Sequence, residues 1–324
     1  MNTGIPGTIA GFFKLIRFQN LVMIALTQVL LRYCVLEKVF YSHGLEPELD
    51  NLLFFLLVLS TVLIAAGGYV INDYFDVKTD TINHPGTVVV DRLIKRRWAI
   101  ILHLVFTLGG VVLGMYTALK TGYLRLAIFH VVAAVLLWLY STTFKRQLLS
   151  GNIVVALLTA AVIFMPFIYE MGVMQKINPG FIFTYRAAVF TAIKYAWIYA
   201  SFAFITTLAR EIIKDLEDYE GDLATGCNTM PIAWGKRSAR LTVFFLLVIT
   251  AMLLMFVVYN TIRWQRYVFS VSVIYILLLL IVPVMSLAVF VVRAENTRQY
   301  TRASLALKLI MLAGLMFSVA FYYS

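Results

Sequence analysis

Two clusters of carboxylates with the same spacing occur in a sequence that is mostly apolar. Each cluster holds three aspartates at positions i, i+3 and i+7. They are Asp73, Asp76 and Asp80 in the first cluster and Asp215, Asp218 and Asp222 in the second. Positions three, four and seven apart lie on one face of an α-helix. Each cluster is therefore predicted to present a stripe of carboxylates at the end of a helix.

Like charges in a row destabilise a helix unless positive charge lies between them. Oxygen ligands suit a hard cation, and Mg²⁺ typically takes one or two carboxylates together with phosphate oxygens of a substrate. Two facing stripes can hold Mg²⁺ ions that bridge a diphosphate and stabilise the charge on it as it departs. The spacing therefore predicts Mg²⁺ as the cofactor, with all six aspartates as metal ligands.

Two other interpretations compete with the metal site. The acids can simply cap and solvate the ends of two helices, although the same spacing in both clusters argues against this. Acids in membrane proteins also mark ion or proton pathways, which would make the protein a transporter. A pathway needs acids near the middle of the membrane, whereas these gather at one face.

The elements that carry the clusters are predicted to be transmembrane helices. The chain has 324 residues, of which 62% are hydrophobic and 13% are charged. A run of about 20 apolar residues is long enough to span a bilayer. Nine such runs are predicted at 18–36, 51–72, 98–119, 126–144, 147–169, 187–209, 241–262, 267–292 and 303–323. Arg32 and Glu37 interrupt the first run, and Lys308 in the last is expected to snorkel to the interface.

The net charge of +11 reflects membrane topology rather than nucleic-acid binding. When the loops are taken alternately, 18 of the 27 Lys and Arg fall on one side. By the positive-inside rule that side is cytoplasmic. This predicts a multi-pass inner-membrane protein with a cytoplasmic N-terminus, both acidic clusters in cytoplasmic loops and the C-terminus outside. Membrane lipid is an expected partner, and no nucleic acid is.

Cysteine and histidine add no second site. Cys34 and Cys227 fall on opposite predicted sides of the membrane, so no disulfide is expected. His103 and His130 lack metal-ligand spacing and are expected to be hydrogen-bonded inside the bundle. No cleavable signal peptide is predicted.

The two clusters read "NDYFDVKTD" and "DLEDYEGD", and this pair on nine spans resembles the UbiA superfamily of intramembrane prenyltransferases. The stretches "RFQN", "YSTTFKR" and "GCNTMPIAWG" are also similar to the family's patterns. The resemblance implies one domain over residues 1–324. It also implies an all-α fold in which nine helices surround a central cavity, capped by two acidic cytoplasmic motif loops.

The resemblance implies transfer of a prenyl group from a prenyl diphosphate to a lipophilic or amphiphilic acceptor. The second motif, "REIIKDLEDYEGD", is most similar to digeranylgeranylglyceryl phosphate synthases, which favours geranylgeranyl diphosphate as donor and geranylgeranylglyceryl phosphate as acceptor. An aromatic acceptor of the menaquinone, homogentisate or hydroxybenzoate type is the alternative. These patterns do not predict the oligomeric state.

The resemblance also implies roles for individual residues. Asp76, Asp80, Asp215 and Asp218 are expected to be catalytic through the metal. The expected substrate-binding residues are Asn72, Lys145, Arg146, Lys214, Tyr140, Arg17 and Asn20. The sequence departs from the family at His84, which stands where an arginine is common.

Overall fold

The computed structural model describes residues 5–83, 86, 88–265 and 270–323. In this part of the chain nine helices are long and apolar enough to cross a membrane. They are α1 Phe18–Tyr41, α2 Asn51–Asn83, α3 Arg96–Thr121, α4 Leu124–Thr142, α5 Ser150–Ile177, α6 Arg186–Glu217, α7 Lys236–Arg263, α8 Val271–Arg293 and α9 Thr297–Tyr323. The predicted all-α class and the nine predicted spans are confirmed. The helices differ from the predicted spans mainly by extra turns at their ends.

The charges that interrupt the first predicted span do not break α1. The helix continues through a wider π-helical turn at Leu31–Leu36. Within it Arg32 is only 3% exposed and donates a hydrogen bond to the carbonyl oxygen of Leu49. Its guanidinium also lies 4.5 Å from the centre of the Phe54 ring. The protein therefore buries this charge against internal partners and does not expose it to lipid.

The two histidines inside the bundle join helices, as the sequence predicts. His103 Nδ1 lies 2.9 Å from the carbonyl oxygen of Gly67, which links α3 to α2. His130 lies between the Ser60 hydroxyl at 2.8 Å and the Tyr169 hydroxyl at 2.9 Å. These bonds satisfy buried polar groups across four helices.

The acidic clusters lie at the ends of helices, as their spacing predicts. The first lies wholly within α2, which continues to Asn83. The second straddles a break, because α6 ends at Glu217 and a short helix follows at Tyr219–Ala224. Asp218 at the junction has φ −90° and ψ 8°, so the second trio does not form one continuous helical stripe. The break turns the short helix back toward α2.

A cavity of about 540 Å³ runs through the centre of the bundle. The segment from Arg17 into α1 lines it, together with α2, α4, α5, α6 and α9. Most of its lining is apolar, and polar side chains gather where it approaches the two acidic clusters. This confirms the expected central cavity.

Candidate active site

The two acidic clusters meet at one end of the bundle, where Asn83 at the end of α2 joins them. The Asn83 side-chain amide donates to the carbonyl oxygen of Asp218 at 3.0 Å, and its oxygen accepts from the Gly221 amide at 2.8 Å. One turn earlier the hydroxyls of Thr79 and Thr225 lie 3.3 Å apart. These contacts fix the short helix Tyr219–Ala224 against the first cluster, so the clusters face each other as predicted.

The first cluster is surrounded by positive and amide groups. Arg17 Nη2 lies 2.9 Å from Asp73 Oδ1, which makes an ion pair with the segment before α1. Asp76 accepts a hydrogen bond of 2.6 Å from the Asn72 amide and a second from Lys145 Nζ. Asp80 lies close enough to Asp76 and Lys145 to interact with both charges.

Lys145 comes from the connection between α4 and α5 and supplies the positive charge nearest to Asp76. Burial alone would lower the pKa of its ammonium, but Asp76, Tyr140 and Asp80 together outweigh burial and raise that pKa above the ordinary value. Lys145 therefore stays protonated at physiological pH. The neighbouring Arg146 is exposed, and its carbonyl oxygen accepts a hydrogen bond of 2.8 Å from the Asn228 amide.

The second cluster is more deeply placed than the sequence suggests. Asp215 Oδ2 accepts a hydrogen bond of 2.7 Å from the Asn152 amide at the start of α5. Asp222 is 6% exposed. Burial and then the charge of Asp218 raise the pKa of Asp222 to about 7, and Asp76 and Asp80 act in the same direction. The carboxylates of the two clusters thus repel one another across the junction.

The donor set fits Mg²⁺. The Asn72 side-chain oxygen is buried and accepts no hydrogen bond from any described residue, so it is available as a neutral oxygen ligand. The repulsion between Asp222 and the other carboxylates is relieved by a divalent cation. Within the described residues no three acidic, cysteine or histidine side chains form a ready-made metal group. Mg²⁺ does not need one, because substrate phosphates complete its octahedral shell.

Five of the seven predicted substrate-binding residues line the polar end of the cavity. They are Arg17, Asn20, Asn72, Tyr140 and Lys214. Lys145 and Arg146 are not part of the cavity wall, and Lys145 lies instead beside the first cluster. His84 lies outside the described residues.

Sequence reasoning missed several polar residues of this site. Asn152 comes from the start of α5, and no local spacing connects it to the motifs. Tyr69 and Arg210 lie one helical turn before Asp73 and Lys214, so helical spacing could have found them. The structure places Lys308, which was expected to snorkel to the interface, in the wall of the cavity. Its ammonium faces the cavity and donates to Asn20 Oδ1 at 3.0 Å. A single charge inside the last apolar span is the signal that could have identified it.

Comparison with known proteins matches this chain to one family. The model of the UbiA prenyltransferase family matches residues 33–310. The chain is similar to the digeranylgeranylglyceryl phosphate synthase of Methanosphaera stadtmanae, with 32% identity over 59% of this chain and 62% of that protein. It therefore aligns with less than two thirds of that relative.

Two further proteins resemble the chain over almost its whole length. The digeranylgeranylglyceryl phosphate synthase of Hyperthermus butylicus is 28% identical over 94% of each chain. A UbiA homologue from Archaeoglobus fulgidus, solved bound to DMAPP and Mg²⁺, is 18% identical with a TM-score of 0.54. That alignment covers 95% of this chain and 99% of the other, and it shows a common fold.

Proposed function

The chain belongs to the UbiA prenyltransferase family, and from this premise we propose that it prenylates a glycerophosphate ether lipid in the membrane. The donor is geranylgeranyl diphosphate and the acceptor is geranylgeranylglyceryl phosphate. A bond forms between the acceptor hydroxyl oxygen and C1 of the prenyl chain, and the bond between C1 and the diphosphate oxygen breaks. Diphosphate leaves with the electron pair, and the hydroxyl proton passes to solvent.

One observation carries this proposal: two acidic clusters are held together at the polar end of an apolar cavity. The Asn83 contacts bring Asp218 to the first cluster, and the cavity of about 540 Å³ begins beside them. A prenyl diphosphate has the same division into an anionic head and a long apolar tail. The cavity suits the tail, and the junction of the clusters suits the head.

The six aspartates Asp73, Asp76, Asp80, Asp215, Asp218 and Asp222 would hold Mg²⁺ at this junction. When bound there, Mg²⁺ supplies positive charge that stabilises the departing diphosphate. Lys145 and Arg146 would donate charge-assisted hydrogen bonds to the diphosphate oxygens. Asn72 orients Asp76 through its amide, and Tyr140 lines the cavity close to the reacting end. The protein acts by positioning and electrostatics and forms no covalent intermediate.

The acceptor is assigned from the named relatives together with the positive charge at the polar end of the cavity. The similar proteins of Methanosphaera and Hyperthermus are digeranylgeranylglyceryl phosphate synthases. Arg17, Lys214 and Lys308 provide cationic groups that suit a phosphate-bearing acceptor. We place the motif end of the bundle in the cytoplasm, with the N-terminus inside and the C-terminus outside, because Lys and Arg are enriched on that side.

The proposal is tested by offering the purified protein labelled geranylgeranyl diphosphate with three acceptors in turn. These are geranylgeranylglyceryl phosphate, dihydroxynaphthoate and 4-hydroxybenzoate. We expect a labelled ether lipid and an equal amount of diphosphate with the first acceptor alone. Preference for either aromatic acceptor would overturn the acceptor assignment, and no transfer to any of them would overturn the proposed activity.

A further inference from the structure

Positive charge collects in the wall at the polar end of the cavity. Four cationic residues line the polar end, namely Arg17, Arg210, Lys214 and Lys308. Among the described residues lining the cavity, Glu211 is the sole acidic one. The wall therefore carries more positive charge than its own acid neutralises.

The ion pairs leave a surplus of positive charge on this wall. Arg17 is paired with Asp73 of the first cluster. Glu211 Oε1 is shared, because Lys214 Nζ lies 2.8 Å from it and Arg210 Nη1 lies 3.2 Å from it. Lys308 donates to the neutral Asn20 oxygen and lies close enough to Arg210 for their charges to repel. Three cations thus face one carboxylate, which leaves a surplus of about two charges. A phosphate monoester carries about −1.5 to −2 at neutral pH.

The basic wall and Asp215, the member of the second acidic cluster that lies within α6, occupy different faces of that helix. Arg210 and Lys214 are four residues apart and share a face. Asp215 follows Lys214 directly, so it points about 100° away around the helix, and it bonds to Asn152 on α5. An anion on the basic face would lie beside the diphosphate site without displacing it.

A buried hydroxyl on the same helix points to a ligand. Thr207 lies one turn before Arg210, lines the cavity and is 4% exposed. Its hydroxyl makes no hydrogen bond to any described residue. A buried hydroxyl without a partner costs free energy that a phosphate oxygen would recover.

We propose that Arg210, Lys214 and Lys308, together with the Thr207 hydroxyl, bind the phosphate of the glycerophosphate acceptor. The inference rests on the proposed function. It assigns the acceptor phosphate to a subsite separate from that of the donor diphosphate. With the acceptor phosphate on the basic face of α6 and the diphosphate on the acidic face, the acceptor hydroxyl is directed toward C1 of the prenyl chain. Lys308 is then a specificity residue for phosphate-bearing acceptors.

The test compares Lys308→Met with a matched lysine away from the cavity, Lys194→Met on the exposed surface of α6. Initial rates are measured with geranylgeranylglyceryl phosphate and with its phosphate-free alcohol, geranylgeranylglycerol. Loss of one charge-assisted hydrogen bond should raise the KM for the phosphate acceptor about tenfold or more. The KM for geranylgeranyl diphosphate and the KM for the alcohol should change less than twofold. Lys308→Arg should restore most of the affinity, and Lys194→Met should resemble the wild type.

Three other outcomes would contradict the proposed subsite, and one of them would also contradict the proposed acceptor. A raised KM for geranylgeranyl diphosphate in Lys308→Met would show that the basic wall holds the donor, and this would overturn the subsite. Wild-type kinetics in Lys308→Met would overturn the subsite while leaving the proposed function intact. Failure of the wild type to use the phosphate acceptor at all, with transfer to an aromatic acceptor, would overturn the acceptor class and the subsite with it.

Discussion

Asp76 lies where the charges of the site converge, since it accepts hydrogen bonds from both Asn72 and Lys145. In the proposed mechanism its carboxylate helps to hold the metal that stabilises the departing diphosphate. An asparagine at this position keeps the shape and removes the charge. The effect of Asp76→Asn therefore separates electrostatic stabilisation from packing.

We expect Asp76→Asn to lower the rate of prenyl transfer by about 100-fold or more, the range seen when a group that stabilises transition-state charge is removed. The initial rate with labelled geranylgeranyl diphosphate gives the measurement. Asp91→Asn is the matched control, because Asp91 is exposed and pairs with Arg96 at 2.8 Å outside the site. Its rate should stay within about twofold of the wild type. Full activity of the Asp76→Asn protein would show that Asp76 is not a metal ligand.

Asn152 acts on the second cluster through Asp215, which accepts its amide hydrogen at 2.7 Å. Partners that orient a metal-binding carboxylate are worth about 10- to 100-fold in metal affinity or activity. We therefore expect Asn152→Leu to raise the Mg²⁺ concentration needed for half-maximal transfer by about tenfold. Asn260→Leu on α7 is the control, because Asn260 is partly exposed and its side chain bonds only within its helix in the described structure. An unchanged Mg²⁺ requirement in Asn152→Leu would mean that Asp215 does not contact the metal.

At the scale of the helices, α2 and α3 pack closely enough to hold the first cluster in place. Gly110 on α3 faces α2, and a Cβ added there would lie 2.8 Å from the Ser60 carbonyl oxygen and 2.7 Å from Ile64 Cγ1. Small residues at such crossings let helix backbones approach closely in membrane proteins. The adjacent Gly109 differs, because its added Cβ would meet only Leu63 at 4.0 Å.

This pair of glycines gives a test of the packing. Gly110→Ala should destabilise the bundle by about 1–3 kcal/mol, as overpacking of an interior typically does, and lower the melting temperature in detergent. Gly109→Ala should leave it within about 0.5 kcal/mol of the wild type. Equal melting temperatures for the two variants would show that α2 and α3 do not pack as closely as described.

The helices were more predictable than the contacts between them. The hydropathy of a span is averaged over about 20 residues, so nine spans are indicated even though Arg32 interrupts one of them. The ends depend on tertiary partners: α2 continues to Asn83 because Asn83 bonds to Asp218 and Gly221 far along the chain. The spacing of the second cluster suggests a single stripe, yet the helix breaks at Asp218 to make those same contacts.

For the molecule as a whole, the sequence identified the aspartates and much of the polar end of the cavity. Arg17, Asn20 and Lys214 were expected at the substrate, and they line the cavity. Asn152 and Lys308 were missed or misplaced, because their roles depend on which helix faces which. No local pattern records that arrangement. The fold class follows from composition, and the finer architecture of the site follows from packing.

Membrane orientation can be tested on the intact protein. Ser42 and Thr143 are exposed at opposite ends of the bundle, with Thr143 close to the Lys145 end. In a protein whose native cysteines are replaced, we expect Ser42→Cys to react with a membrane-impermeant maleimide added to intact cells. Thr143→Cys should react only after the cells are permeabilised, because the proposed topology puts the motif end in the cytoplasm. The reverse pattern of labelling would invert the proposed topology.

The central claim is that two clusters far apart in sequence form one Mg²⁺-dependent diphosphate site. Binding of the unreactive analogue geranylgeranyl thiodiphosphate, measured calorimetrically for the wild type, Asp76→Asn and Asp218→Asn, tests it most directly. We predict that the wild type binds only when Mg²⁺ is present and that either substitution alone weakens binding by about 30-fold or more. Wild-type affinity in excess EDTA, or in either single variant, would contradict the claim that both clusters hold the same ligand.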